Sequence, residues 1–262
     1  MNIRCGYVDV GGGQIHYRTS GDKGPAVILL HQTPLSSRMY ERTLPHLGAH
    51  CRAFAIDTPG YGGSSPPPEP PAVEDYAESL LAAVSSLGVD RFAVAGFATG
   101  AAIAVEIARQ AGEKTTHVVL SGTPFLSEER MQSFAVALGE PAVRRDGQHF
   151  LQVWSSRLDN YGRDSDVDQI QMAASETLRV YDRLHWGLLA VARYDFASAL
   201  AQLRGPVLFL TAENDKLAPE NRAAAALVDG STETVRENGM PQLCWTEPEW
   251  FSMQVKDFIA AR

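Results

Sequence analysis

The chain has 262 residues, 45% of them hydrophobic and 21% charged, a globular composition long enough to bury a large core. Its net charge of -8 and the lack of a Lys/Arg run exclude a nucleic-acid surface, which needs a basic stripe to meet phosphate. No stretch approaches the roughly 18 consecutive apolar residues of a membrane span, and Met1 to Tyr7 carries no apolar leader core, so a soluble cytoplasmic protein without membrane contact is expected.

Three widely separated cysteines, Cys5, Cys51 and Cys244, make neither a disulfide framework nor a zinc site and are expected to be buried free thiols. In chain order, β-branched and aromatic residues on either side of Gly11-Gly12-Gly13 predict an antiparallel hairpin over 3–10 and 14–19. Residues 25–30 are continuously apolar, as in a parallel strand covered on both faces. That strand ends at His31-Gln32-Thr33-Pro34, on the carboxyl side where open α/β sheets bind ligands. Ser36 or Ser37 caps a helix to about Leu47, and a strand over 52–57 ends in Asp57-Thr58-Pro59-Gly60-Tyr61-Gly62-Gly63-Ser64. The proline-rich 65–71 stretch reads as one extended loop, because the strand–helix alternation continues past it with a helix over 73–87 and Gly88 as its terminator.

The strand over 92–97 runs into Gly96-Phe97-Ala98-Thr99-Gly100, which has the spacing of the G-x-S-x-G nucleophile turn with a methyl group where the nucleophile stands. A methyl cannot attack a carbonyl, so no ester forms through residue 98. A helix to about Gln110 and a strand over 116–121 follow, and then the alternation stops. Amphipathic helical patterns cover 128–138, 148–158 and a long 167–191 stretch. It resumes with a strand over 206–211, the Asn214-Asp215 turn, a helix over 221–227, a strand over 232–236, and a last helix opened by Glu247-Pro248-Glu249.

These motifs, in this order, resemble the α/β-hydrolase fold over nearly the whole chain. His31-Gln32-Thr33-Pro34 is similar to its H-G-x-P oxyanion loop, Asp57 to Ser64 to its D-x-P-G-x-G-x-S strand end, 96–100 to its elbow, and Asn214-Asp215 to its acid turn. The resemblance implies one domain over 1–262: a mostly parallel eight-stranded sheet flanked by helices, with a helical cap inserted after strand 6 over about 124–197. It also exposes two departures. Ala98 replaces the nucleophile, and the span before Glu247-Pro248-Glu249, where the family carries Gly-His, reads Asn238-Gly239-Met240-Pro241-Gln242-Leu243-Cys244-Trp245-Thr246. No histidine follows His185. Loss of both groups, with Gln32 in place of the family's glycine, points to a branch that has left triad chemistry.

Candidate site residues follow from this. His31, at the mouth of the fold, is either a general acid/base or a brace of its loop. Asp215 is either a desolvated carboxyl suited to proton transfer or a relic bound to loop amides. His185, on the long cap helix, either overhangs the site as a replacement base or packs at the surface. The backbone amides of Thr33 and Thr99 are candidates for an oxyanion hole. Gln32, Phe125, Trp154, Trp186 and Tyr194 are candidates for an apolar pocket, the aromatics having simple core packing as their alternative. Cys244 is taken as structural. The expected function is an enzyme on a small, mostly apolar carbonyl or enolate-forming substrate, by lyase, decarboxylase, isomerase or non-covalent hydrolase chemistry. The alternative is a silent small-molecule binding protein. No cofactor or metal is implied, and monomer and homodimer both fit.

Overall fold

In the computed structural model, residues 2–125, 130, 142–162 and 165–261 are described. The continuous apolar runs become central strands because each is covered on both faces. In β3 (Ala26–Leu30), Ala26, Ile28 and Leu30 join one buried cluster while Val27 and Leu29 join the other. The same period-2 partition runs through β5 (Phe92–Phe97), β6 (Thr115–Ser121) and β7 (Val207–Ala212). With β1 (Arg4–Val10), β2 (Gly13–Ser20), β4 (Arg52–Ile56) and β8 (Thr232–Arg236) they form one eight-stranded sheet in the order β1-β2-β4-β3-β5-β6-β7-β8. β2 pairs antiparallel with both β1 and β4, and the remaining pairs are parallel.

Helices α1 (Leu44–Leu47), α2 (Val73–Ser86) and α3 (Thr99–Ala111) alternate with these strands. The single helix expected to reach Leu47 is instead a 3-10 turn over Ser37–Tyr40 capped by Ser36, followed by α1 with Pro45 near its start. Between β6 and β7 come α4 (Gln148–Tyr161), α5 (Val167–Arg179), α6 (Trp186–Arg193) and α7 (Phe196–Ala201). The helix expected over 128–138 falls, but for Arg130, outside the described residues. After β7 the chain adds α8 (Ala218–Ala225), α9 (Leu243–Thr246) and α10 (Pro248–Ala260), the last with proline at its first position. Among the described residues no helix is long and apolar enough to cross a membrane.

The long 167–191 stretch is two helices. Val180 leaves helical geometry at φ -121°, ψ 29° and is buried in the core. The segment after it is fastened to the loop following β4. Tyr61 Oη donates to the Arg183 carbonyl at 3.3 Å and accepts the Gly187 N–H at 2.8 Å, and Arg183 Nε donates to the Gly60 carbonyl at 2.7 Å. Gly187 lies so close to the loop after β3 that a Cβ there would stand 2.2 Å from Thr33 Oγ1. Cys51 and Cys244 are buried, but Cys5 is exposed, because it lies on the edge strand β1.

Candidate active site

The turn from β5 into α3 sets the centre. Ala98 holds φ 51°, ψ -116°, a conformation costly for a residue with a Cβ. Its two glycines are there for close approach: a Cβ on Gly96 would stand 2.1 Å from the Gly100 carbonyl oxygen, and one on Gly100 would stand 2.3 Å from that of Leu30. The backbone is therefore that of a nucleophile elbow, and what it presents is a methyl group.

A cavity of about 230 Å³ opens over Ala98 at the carboxyl ends of the parallel strands. Phe97 and Pro124 wall it from the sheet side, Leu188, Leu189 and Val191 from α6, and Leu217 and Pro241 from the loops after β7 and β8. Gln32, Thr99, Tyr161 and Asp215 bring its polar groups, with Asn160 and Lys216 alongside. Pro241 thus lines the cavity from the 238–246 stretch, which carries no histidine.

His31 is fully buried and is not on the cavity wall. Its Nε2 accepts the Thr58 N–H at 2.9 Å, which leaves Nδ1 to donate to the Gln32 carbonyl at 2.9 Å. Burial lowers its pKa and keeps the ring neutral, against the pull of nearby Asp57. Both nitrogens being engaged by backbone, the ring ties the loop after β3 to the loop after β4, and the acid/base role expected for it has no free nitrogen to act with. Asp57 holds that second loop. Fully buried, it accepts from His16 Nδ1 at 2.8 Å and from the N–H groups of Ser37 at 2.6 Å and Gly63 at 2.8 Å. Burial pushes its carboxyl upward, but the bonds from His16, Ser37 and Gly63, with the His31 ring close by, outweigh it and hold the pKa at about 2.

Thr33 and Thr99 meet, though not as two free amides. The Thr33 N–H donates to Thr99 Oγ1 at 2.6 Å, and the Thr33 hydroxyl donates to the same oxygen at 3.1 Å. Asp215 lies on the cavity wall with Oδ1 accepting the Leu217 N–H at 2.9 Å, and among the described residues Oδ2 has no hydrogen-bond partner. Burial raises its pKa, the Leu217 amide opposing in part.

The other expected residues lie elsewhere. His185 is half-buried at the residue preceding α6, because the break after Val180 takes it off any long helix, and it is not on the cavity wall. Phe125, Trp186 and Tyr194 pack on the core cluster beside α2 and α3, and Trp154 packs on the opposite one. Phe125 faces Phe196 at 6.5 Å, and the Tyr194 hydroxyl donates to the buried Glu106 carboxylate at 2.7 Å. Their apolar faces are used in the core, and apart from Phe97 and Tyr161 the cavity's apolar lining is aliphatic.

One polar group escaped the sequence reading. Tyr161, the last residue of α4, has its hydroxyl between two amides, accepting from Gln32 Nε2 at 3.1 Å and from Gln242 Nε2 at 2.7 Å. Gln169 Nε2 supports Gln242 through its Oε1 at 2.9 Å. Gln242 is fully buried in a left-handed conformation, φ 61°. The available signal was the spacing of Val153 and Tyr161 on one helix face, which marks burial and nothing more. Among the described residues no group of three His, Cys, Asp or Glu side chains is placed to hold a metal ion.

Residues 25–160, over half of the chain, match the alpha/beta hydrolase fold family. The chain is 25% identical to the biotin biosynthesis bifunctional protein BioHC of Cellvibrio japonicus over 89% of its own length, but spans only 47% of that protein. It is 25% identical to 2-hydroxy-6-oxononadienedioate/2-hydroxy-6-oxononatrienedioate hydrolase 2 of Pseudomonas putida, covering 98% of this chain and 94% of that one. Its structure matches the enol-lactonase of Burkholderia xenovorans LB400 with a TM-score of 0.84 at 19% identity, covering 98% of this chain and all of the other (100%). Sheet order, elbow geometry and family match agree: the chain belongs to the α/β-hydrolase family.

Proposed function

We propose that this protein is an enzyme of a branch without the serine nucleophile and histidine of the triad, acting on a small, mostly apolar carbonyl or enolate-forming substrate by non-covalent acid/base chemistry. The observation that carries the reading is Asp215 Oδ2, an unpartnered carboxylate oxygen on the wall of an otherwise largely aliphatic cavity beside the Ala98 methyl. Burial makes that carboxylate a stronger base than an exposed one. In the step proposed, the substrate's α-C–H bond breaks, its proton passes to Asp215 Oδ2, and the electron pair moves into the enolate. Return of the proton at another atom completes an isomerase reaction, and loss of a β-leaving group with its electron pair completes a lyase reaction. In a decarboxylase the C–CO₂⁻ bond breaks in place of the C–H bond and gives the same enolate. In a hydrolase Asp215 instead takes the proton of the water that attacks the carbonyl carbon. The Thr99 amide at the start of α3, joined by that of Thr33 once the Thr99 hydroxyl turns aside, would hold the enolate oxygen. Helices α4 to α7 would serve as the cap. The similar protein of Pseudomonas putida is named a 2-hydroxy-6-oxononadienedioate/2-hydroxy-6-oxononatrienedioate hydrolase, which supports a carbonyl substrate.

The test is deuterium exchange at the methyl group of acetophenone in D₂O. A dry cavity of about 150 Å³ takes up benzene, so a ring with one acetyl group suits this one. Exchange above the buffer rate that Asp215→Asn abolishes is expected. A ketone that binds without exchanging favours the second reading, a catalytically silent binding protein, which the bond from the Thr33 N–H to Thr99 Oγ1 supports.

A further inference from the structure

We infer that Tyr161 is the hydrogen-bond donor that selects a ligand oxygen in this cavity, its proton aimed inward because both of its acceptor positions are filled by glutamine amides. A phenolic oxygen offers one O–H and limited acceptor capacity. Here Gln32 Nε2 and Gln242 Nε2 both donate to it, at 3.1 and 2.7 Å. The Gln242 amide can reverse only together with that of Gln169, whose Nε2 donates to its Oε1 at 2.9 Å. The hydroxyl proton is then the one valence left, and Tyr161 and Gln32 both stand on the cavity wall.

The surroundings suit a donor. Tyr161 is buried, which raises its pKa and keeps the proton on at neutral pH, while Arg157, one turn earlier on α4, and the two amides stabilise negative charge on its oxygen. A hydroxyl that accepts two N–H bonds is polarised toward donating its own proton. A wholly apolar ligand would leave that buried O–H unmatched at a free-energy cost, so the cavity takes compounds presenting a carbonyl, enol or hydroxyl oxygen on an apolar body. This deepens the carbonyl reading above and rests on it for the class of ligand, but it concerns recognition and holds whether or not turnover follows.

The experiment uses acetophenone labelled with ¹³C at the carbonyl and its isostere α-methylstyrene, which lacks the acceptor. With the wild-type protein the bound carbonyl stretch should fall below its frequency in cyclohexane, and acetophenone should bind about tenfold more tightly than α-methylstyrene. Tyr161→Phe, which deletes one atom, should restore the cyclohexane frequency and erase the preference. Gln242→Glu should do the same with the hydroxyl still present, because a carboxylate would accept the phenolic proton and draw it away from the cavity. A wild-type band at the apolar frequency, a lowered band that survives Tyr161→Phe or Gln242→Glu, or failure of the wild type to prefer the ketone overturns the inference. A lowered band without deuterium exchange overturns only the catalytic reading. Exchange without a Tyr161-dependent band overturns only this one.

Discussion

The Thr33 backbone N–H donates to Thr99 Oγ1 at 2.6 Å, so a side chain of the elbow occupies one of the two amides proposed for an oxyanion. Removing that hydroxyl should uncover the donor and leave a buried N–H unmatched. Thr99→Ala is expected to lower stability by about 1–3 kcal/mol. Added acetophenone should raise the melting temperature of the variant more than that of the wild type. Equal ligand-induced shifts in the two proteins would mean that the Thr33 amide does not reach the ligand.

Placing a hydroxyl on the elbow is not expected to make an esterase. Both ring nitrogens of His31 are engaged by backbone, and no histidine is among the residues that line the cavity. Ala98→Ser should give neither a stoichiometric burst with p-nitrophenyl acetate nor labelling by a fluorophosphonate, since a carboxylate such as Asp215 with no imidazole between is too weak a base to take an alcohol's proton at neutral pH. Labelling would show that Asp215, a base on the same cavity wall, takes the proton of a hydroxyl at position 98.

His31 should matter for folding. His31→Phe leaves the Thr58 N–H and the Gln32 carbonyl without the imidazole, and a loss of about 1–3 kcal/mol is expected in urea unfolding at pH 8. Burial lowers the folded-state pKa below the ordinary 6.5, so the unfolded chain takes up the proton first. The stability due to a neutral His31 is therefore whole above pH 6.5 and declines as pH falls through the folded value. The gap between wild type and variant should narrow on acidification, and a gap that widens would contradict the neutral ring.

Asp57 shifts in the same sense at lower pH. Its pKa of about 2, against 3.8 in an exposed chain, corresponds to about 2 kcal/mol that is present above pH 4 and lost as pH falls toward 2. Asp57→Asn should be less stable than wild type at pH 7 and should lose less between pH 5 and pH 2. Parallel pH profiles would show that the carboxylate's charge is not what holds the loop.

Asp215 should behave in the opposite way. Its folded pKa is raised, so its stability contribution is whole below the unfolded value and falls as pH rises through the folded one. Asp215→Asn, whose side-chain oxygen can still accept from Leu217, should gain stability relative to wild type between pH 4 and pH 7. A relative loss over that range would recast Asp215 as an anchor of its turn.

What could be read in advance divides by the range of the interaction. Val27 to Leu30 and Phe92 to Phe97 announce buried strands because their side chains must fill both faces of a sheet, a local pattern that survives into the structure. Ala98, Asp215, Gln32 and Thr99 were legible because strand ends and tight turns write them into short motifs. Tyr161 was not, since its role comes from Gln32, Gln242 and Gln169 arriving from three distant segments. The four aromatics misled for the converse reason: Trp154 or Tyr194 on an amphipathic helix signals burial, and burial here means the core. His185 was misplaced because the helix breaks at Val180, and the segment after the break is held by Tyr61 and Gly60, more than a hundred residues away in sequence.

The seating of Gly187, its N–H on Tyr61 Oη and its missing Cβ against Thr33, makes one half of the cavity roof part of the floor. In native-state hydrogen exchange that amide should be protected like those of β3 and β5 and should open only with global unfolding. Uptake of small molecules into the cavity is then expected without movement of α6, at a rate unrelated to the opening of that helix.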